Sequence, residues 1–408
     1  MKKILFLSEM PITNGVIQAQ LFPILLEAAR LGYVTEVLET TGRFDAQEKY
    51  RTEAEKKLTE AGIALQEINV PRFTLLPSIL YFSLKAYQLF KKQLKDTASE
   101  SSVIYARNYK FIPFLLWAKY FWHISFIYSP RGAYVAERKH YRKIKDLLYG
   151  NAIGLLEKIA IRKSFSTIVE TEGFKKHLEK LYRLDEKQFT IIPNYWDATL
   201  LPDKNWRREE VREKLGFTGK KVIVYTGTVE AWYEFEQMID LVSRLRKKNP
   251  AIFFQLFLKE DYARTESCGI LKSLPEVFQK YGLEKDAYTI SSYAPEERYC
   301  YLCACDAGIC LTTTAKFKTM MLYIKIVDFW GAGLPVIANK EIGVTKEMIE
   351  KTNTGALVDY KKWEESIAKI NPEKLFEKTA AYQEETARYS SEKVLPLYFS
   401  LFDKFFQK

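Results

Sequence analysis

Short apolar runs alternate with amphipathic stretches along this chain, and the alternation predicts strands and helices in turn. Lys3 to Ser8 reads as a strand, Glu9 to Gly15 as a loop, and Leu21, Ile24, Leu25 and Ala28 as one face of a helix. Pro23 requires that helix either to begin just before it or to kink there. Val34–Leu38 reads as a second strand, Ala46–Ala61 as a charged helix and Pro77–Lys95 as an amphipathic one. Val103–Tyr105 is a strand, Phe111–Trp122 a buried helix and Ile124–Tyr128 the next strand. Ser166–Val169 and Phe189–Ile192 follow as strands, and Thr171 between them suits a helix cap.

A polar linker through Trp206 and Arg212 introduces a second series. Lys221–Tyr225 is its first strand, Thr226-Gly227-Thr228 a turn, and Phe235, Met238, Ile239, Val242 and Leu245 stand in helical register behind it. Ile252–Leu258 and Tyr288–Ser291 read as strands, Pro295–Cys305 as a helix running into a strand that ends at Leu311. Glu347–Lys351 and Gly355–Asp359 continue the alternation, and Val394–Phe406 closes it as an aromatic-faced helix. Strands that alternate with helices define the α/β class with parallel sheets, and 408 residues suffice for two cores. The two halves repeat only in architecture.

The most informative stretch runs from Tyr323 to Ala338: a helix, a turn at Gly331 and Gly333, and a buried strand from Leu334. Ile324, Val327, Phe329 and Trp330 supply its apolar face, while Lys325 and Asp328, three apart, project together. A cation and a carboxylate near a helix N-terminus suit a phosphate-and-ribose ligand, because free amides and the helix dipole favour the phosphates. A solvated ion pair is the alternative for the same spacing. On either reading both side chains lie outside the apolar face, so truncating them is expected to cost little stability.

Lys325-x-x-Asp328-Phe-x-x-Ala332-Gly333-x-Pro335-Val-Ile-Ala338 resembles the donor-site signature of retaining, nucleotide-sugar-dependent glycosyltransferases of the GT-B fold, the family-four (group 1) type. The resemblance implies two Rossmann-like domains with parallel sheets facing across a cleft. It places an acceptor-side domain at 1–198, a nucleotide-sugar domain at 199–389, and a helix at 390–408 packing back on the first. It further implies that Lys325 and Arg131 act in catalysis, that Asp328, Gly227, Thr228, Tyr323 and Trp232 bind the donor, and that Gly15, Arg107 and Glu137 lie on the acceptor side. No metal or other cofactor is implied. The implied activity is hexosyl transfer with retention to a glycan or lipid-linked acceptor, in cell-envelope polysaccharide or glycoconjugate synthesis.

This chain departs from the family pattern in four places. Met320 stands where the commoner form has a second glutamate, and Asp328 where it has a longer acid. Ser129 replaces an aspartate before Arg131, and the Gly227 loop lacks the usual arginine and lysine, with Trp232 as the closer likeness to a subset. A non-catalytic partner subunit of the same fold, a nucleotide-sugar epimerase and a nucleotide-binding regulator therefore remain open. For Arg131, which follows a parallel strand, an ion pair with Glu137 is the alternative to an anion site. Gly15 is equally readable as a turn residue.

Charge and cysteines narrow the partners. Lys plus Arg total 62 against 51 acids, a net +11 that favours anionic ligands, yet the basic residues are dispersed and no nucleic-acid motif appears. All five cysteines fall between Cys268 and Cys310; Cys300-x-x-Cys303-x-Cys305 has no histidine beside it, so structural thiols in a reducing cytoplasm are expected rather than zinc. Met1-Lys-Lys leads straight into the first strand and reads as no secretory leader, and Phe111–Tyr128 carries Lys119 and His123 and reads as no membrane span. The basic, aromatic Pro77–Lys95 helix suits either a solvated back or an anionic surface at the inner membrane face.

Overall fold

The computed structural model describes residues 2–41, 48–69, 75–95, 101–140, 144–184, 188–229, 232–258 and 274–407. Cys268 and the Glu230–Ala231 part of the expected donor loop lie outside them. The chain forms two units: Met1–Pro193 with Val394–Lys408, and Asn194–Lys393.

The first unit holds seven strands: β1 (Lys3–Leu7), β2 (Val34–Thr41), β3 (Ala64–Asn69), β4 (Ser102–Arg107), β5 (Ser125–Ser129), β6 (Ser166–Val169) and β7 (Phe189–Ile191). They pair in the order β3-β2-β1-β4-β5-β6-β7, every neighbour parallel. Lys3 of β1 stands opposite Val34 on one side and Ser102 on the other. The second unit repeats the plan with β8 (Lys221–Gly227), β9 (Ile252–Leu258), β10 (Tyr288–Ser291), β11 (Ala307–Cys310), β12 (Val336–Asn339) and β13 (Ala356–Val358). Its order is β10-β9-β8-β11-β12-β13, again all parallel. In each sheet the winding reverses once, between β1 and β4 and between β8 and β11. Loops leave such a reversal in opposite directions, which opens a crevice at the carboxyl ends of the strands.

Several elements differ from the sequence reading for physical reasons. β3 carries no apolar run and only Ile68 is buried within it; as an edge strand it is held by backbone pairing, which periodicity does not register. The helix expected over Pro295–Cys305 is a 3₁₀ turn, Pro295–Glu297, followed by a short helix, Arg298–Leu302. Pro23 sits in the first turn of a helix, Phe22–Arg30, that is separate from Gly15–Gln20. The amphipathic helix spans Leu75–Lys95 and the last helix starts at Ser391.

Alternation on β8 builds both halves of the second core. Ile223 and Tyr225 pack on one side with Phe235, Met238 and Ile239, while Val222 and Val224 pack on the other with Phe329 and Trp330. The central helix, Ile324–Gly331, lies so close to β11 that a Cβ on Gly308 would fall 2.3 Å from the Phe329 ring. It ends with Leu334 N–H bonded to the Phe329 carbonyl at 2.8 Å, a closure in which Gly333 takes φ +66°. From Val394 the final helix belongs to the first unit, where Phe402 meets Phe6 and Tyr105 edge-on and Tyr33 donates to Asp403 at 2.8 Å. None of the described helices is long and apolar enough to cross a membrane.

Candidate active site

At the carboxyl end of β8 the chain turns at Gly227 with φ +108°, a conformation that glycine alone adopts without strain. Trp232, Tyr233 and Glu234 then run antiparallel to the segment after β11. Tyr233 bridges Thr312, Thr313 N–H bonds the Trp232 carbonyl at 2.9 Å, and Glu234 N–H bonds the Leu311 carbonyl at 3.1 Å. This pairing ties the two loops that flank the crevice and sets Trp232 and Tyr233 side by side above it, ring centres 6.2 Å apart.

Lys325 enters the same crevice from the second position of the central helix, after Tyr323 at the N-cap. Only 8% of its surface is exposed. Its ammonium donates to the Tyr225 hydroxyl at 2.5 Å and lies 4.0 Å from the Tyr225 ring centre and 3.5 Å from that of Tyr233. Tyr225 donates onward to the Thr228 carbonyl at 2.6 Å. A Cβ on Gly227 would stand 3.5 Å from the ammonium, which places Lys325 directly against this turn. Lys318, from the short helix Lys316–Thr319, holds its ammonium 4.1 Å from the Trp232 ring centre, and Tyr323 donates to the Lys318 carbonyl at 3.1 Å. Aromatic faces hold a cation through their quadrupole without neutralising it, so both lysines remain able to attract an anion.

Asp328, one turn further along, is 6% exposed, and its Oδ1 accepts from Arg298 Nη1 at 3.1 Å and from the Tyr299 hydroxyl at 2.8 Å. The expectation that both polar side chains stand outside the packed face is corrected here: each is enclosed by neighbouring elements that a helical wheel does not show. Burial pushes the Tyr299 hydroxyl up, and the Asp328 charge adds to it. Burial alone would lower Arg298, but the Asp328 carboxylate together with Tyr299 and Tyr293 outweighs it and raises the guanidinium. Burial likewise pushes Tyr293 up to about 12, against Arg298 and its hydrogen bond with Thr226.

In the first unit a cavity of about 110 Å³ is lined by Asn108, Tyr109, Arg131, Tyr134, Glu137 and Glu157 among others. Arg131 Nη2 donates to Tyr105 at 3.2 Å and to Tyr398 at 3.5 Å. Glu157 is buried and accepts from Tyr128 at 2.8 Å and Tyr182 at 2.5 Å; burial pushes its carboxyl up. Asn108 takes φ +75° and caps the following turn, and the Tyr109 and Tyr134 rings lie 4.2 Å apart.

The structure thus brings Lys325, Gly227, Thr228, Tyr323 and Trp232 to one crevice, with Asp328 behind it. Arg131 and Glu137 share the first-unit cavity. Arg107 is buried at the end of β4 and Gly15 heads the short helix capped by Asn14; neither lines that cavity. Sequence reasoning missed Tyr225, Tyr233, Arg298 and Glu157. Glu157 left a signal, a single acid between Leu155-Leu156 and Ile159-Ala160. Tyr225 left none, since a tyrosine in a buried strand is ordinary.

Among the described residues no three His, Cys, Asp or Glu converge as a metal site. No family model matches the chain, and no curated protein does. Solved structures do. Anabaena HepE, determined with UDP-glucose, superimposes with TM-score 0.70 at 17% identity over 100% of both chains. Sucrose-phosphate synthase from Thermosynechococcus elongatus gives 0.71 at 14%, again over 100% of both. A point mutant of S. aureus TarM, determined with UDP, fondaparinux and α-GlcNAc-glycerol, gives 0.62 at 11%, covering 99% of this chain and 100% of that one. The chain has the fold of these glycosyltransferases, the GT-B fold of two Rossmann-like units.

Proposed function

We propose that the protein is a retaining glycosyltransferase that moves a hexosyl group from a nucleotide-sugar to a glycan or lipid-linked acceptor in cell-envelope polysaccharide synthesis. The observation that carries this reading is Lys325, placed on aromatic faces in the switch-point crevice of the second sheet, beside Gly227 and in the first turn of the central helix. Its ammonium and the helix dipole meet the donor diphosphate. Lys318 on Trp232 supplies a second cation, in place of those absent from the Gly227 loop. UDP is the first nucleotide to test, because HepE was solved with UDP-glucose and TarM with UDP.

In the proposed reaction the bond from the anomeric carbon to the diphosphate oxygen breaks with its electron pair going to the diphosphate. The acceptor hydroxyl bonds the same carbon on the same face and gives its proton to the departing phosphate oxygen. Charge grows on that diphosphate, so Lys325 and Lys318 stabilise the transition state more than the ground state. These cations can balance the leaving charge without a divalent ion, and activity is expected to survive EDTA. Asp328 Oδ1 is engaged by Arg298 and Tyr299, and its second oxygen would accept from the ribose hydroxyls. The polar first-unit cavity with Arg131 and Glu137 would receive the acceptor.

Purified protein should release nucleoside diphosphate from one nucleotide-sugar, and NMR of the transferred sugar should show the donor's anomeric configuration. Binding without any turnover would instead favour a non-catalytic partner, which Met320 in place of the second glutamate already motivates. Neither binding nor turnover of any nucleotide-sugar would refute both.

A further inference from the structure

On the first unit the Leu75–Lys95 helix packs against Ile112–Phe121, and together they expose apolar side chains that a solvated surface would not carry. Leu80 and Leu84, one turn apart, are 61% and 56% exposed; Tyr120 and Phe121 at the end of the second helix are 55% and 67% exposed. Aromatic rings join the two ends. Tyr87, one turn after Leu84, stacks on Trp122 at 5.6 Å and meets Trp117 at 3.8 Å, and Trp117 meets Phe121 at 5.5 Å. The result is a continuous belt of leucine, tyrosine, tryptophan and phenylalanine. A contiguous apolar patch of this kind marks a binding surface.

The charge around the belt names the partner. Neither helix contains an acidic residue. Lys85 lies 5.8 Å from the Tyr81 ring centre, Lys91 5.9 Å from that of Tyr87, and Lys163 5.8 Å from that of Tyr120. Each of these ammoniums lies over an aromatic ring of the belt, so cationic heads stand among the exposed apolar groups, a pairing suited to a lipid interface. Lys119 stands in the same group, its pKa held down by burial and by the Lys163 charge, a repulsion that an anionic surface would relieve.

We propose that this belt docks on an anionic lipid bilayer. The apolar tips enter the headgroup layer and the lysines engage lipid phosphates, so the protein lies on the membrane without spanning it. The proposal stands independently of the transferase reading.

Flotation of the full chain with vesicles tests it, using phosphatidylcholine alone or with about 30% phosphatidylglycerol. The protein should float with the anionic vesicles at low salt, remain free of the neutral ones, and be released as salt rises. Leu84→Ser with Phe121→Ser should weaken binding about tenfold or more at an unchanged melting temperature, since both side chains are exposed. Lys85→Gln with Lys91→Gln and Lys163→Gln should weaken it on the order of a hundredfold. The proposal fails if the chain ignores anionic vesicles at low salt, or if the apolar pair leaves binding unchanged. It also fails if sedimentation shows a dimer that the apolar pair dissolves, because a second copy would then cover the belt.

Discussion

The Lys325 ammonium donates to the Tyr225 hydroxyl at 2.5 Å, and that hydroxyl passes a hydrogen bond on to the Thr228 carbonyl at 2.6 Å. One phenol therefore ties the crevice cation to the turn that follows β8. Tyr225→Phe keeps the ring beneath the ammonium and removes the tether. A charge-assisted hydrogen bond contributes roughly 1.5–3 kcal/mol, so kcat should fall on the order of tenfold or more with KM for the donor little changed. Lys325→Ala, which removes the cation itself, should cost about a hundredfold or more. Steady-state kinetics on the true donor separate the two; a Tyr225→Phe enzyme with full kcat would show that the tether is idle.

Asp328 bears on stability as well as on the donor. Asp328→Ala would leave the buried Arg298 guanidinium without its carboxylate, which should cost roughly 3–5 kcal/mol of unfolding free energy. Asp328→Asn keeps an acceptor for Arg298 and Tyr299 and should cost clearly less. Denaturant unfolding of the three proteins measures both differences, and an alanine variant within about 1 kcal/mol of the parent would contradict the buried pair.

Glu39 should impose a pH dependence on stability. It is fully buried at the carboxyl end of β2, accepts from Ile12 N–H at 2.5 Å and pairs with Arg51 at 2.9 Å. Burial outweighs both partners and pushes its carboxyl from 4.5 up to about 7. Between those values the folded chain keeps a proton that the unfolded chain has lost, so stability declines as pH rises from 4.5 through 7, by roughly 3 kcal/mol in all. Glu39→Gln should flatten that decline. Parallel pH profiles for parent and variant would show that Glu39 ionises normally.

Cys303, Cys305 and Cys310 should be inert. Burial pushes the Cys303 thiol to about 11 and Cys310 to about 12, and raises Cys305 well above its ordinary value. A folded sample at pH 8 should leave these three unmodified by an aromatic disulfide reagent while the unfolded chain reacts fully. Elemental analysis should find no stoichiometric zinc, and one equivalent would overturn the structural assignment of Cys300, Cys303 and Cys305.

Periodicity made the α/β alternation legible, down to the limits of β9, because a buried parallel strand is a nearly continuous apolar run bounded by polar turns. It missed β3, whose place is fixed by pairing with β2 rather than by burial of its own side chains. Lys325 and Asp328 stood out because a cation and a carboxylate interrupt an apolar helix. Their surroundings did not, since Tyr225 lies 100 residues before Lys325 and Arg298 30 before Asp328. Those neighbours decide that both side chains are enclosed, and only the sheet order brings them there.

Donor binding at the β8–β11 crevice is the centre of the account, and calorimetric titration of the intact protein with nucleoside diphosphates tests it directly. One of them, UDP first, should bind saturably and raise the melting temperature, and Lys325→Ala should weaken that binding at least tenfold without unfolding the chain. Failure of every nucleotide to bind, or equal affinity in parent and Lys325→Ala, would place the donor elsewhere and contradict the assignment of this crevice.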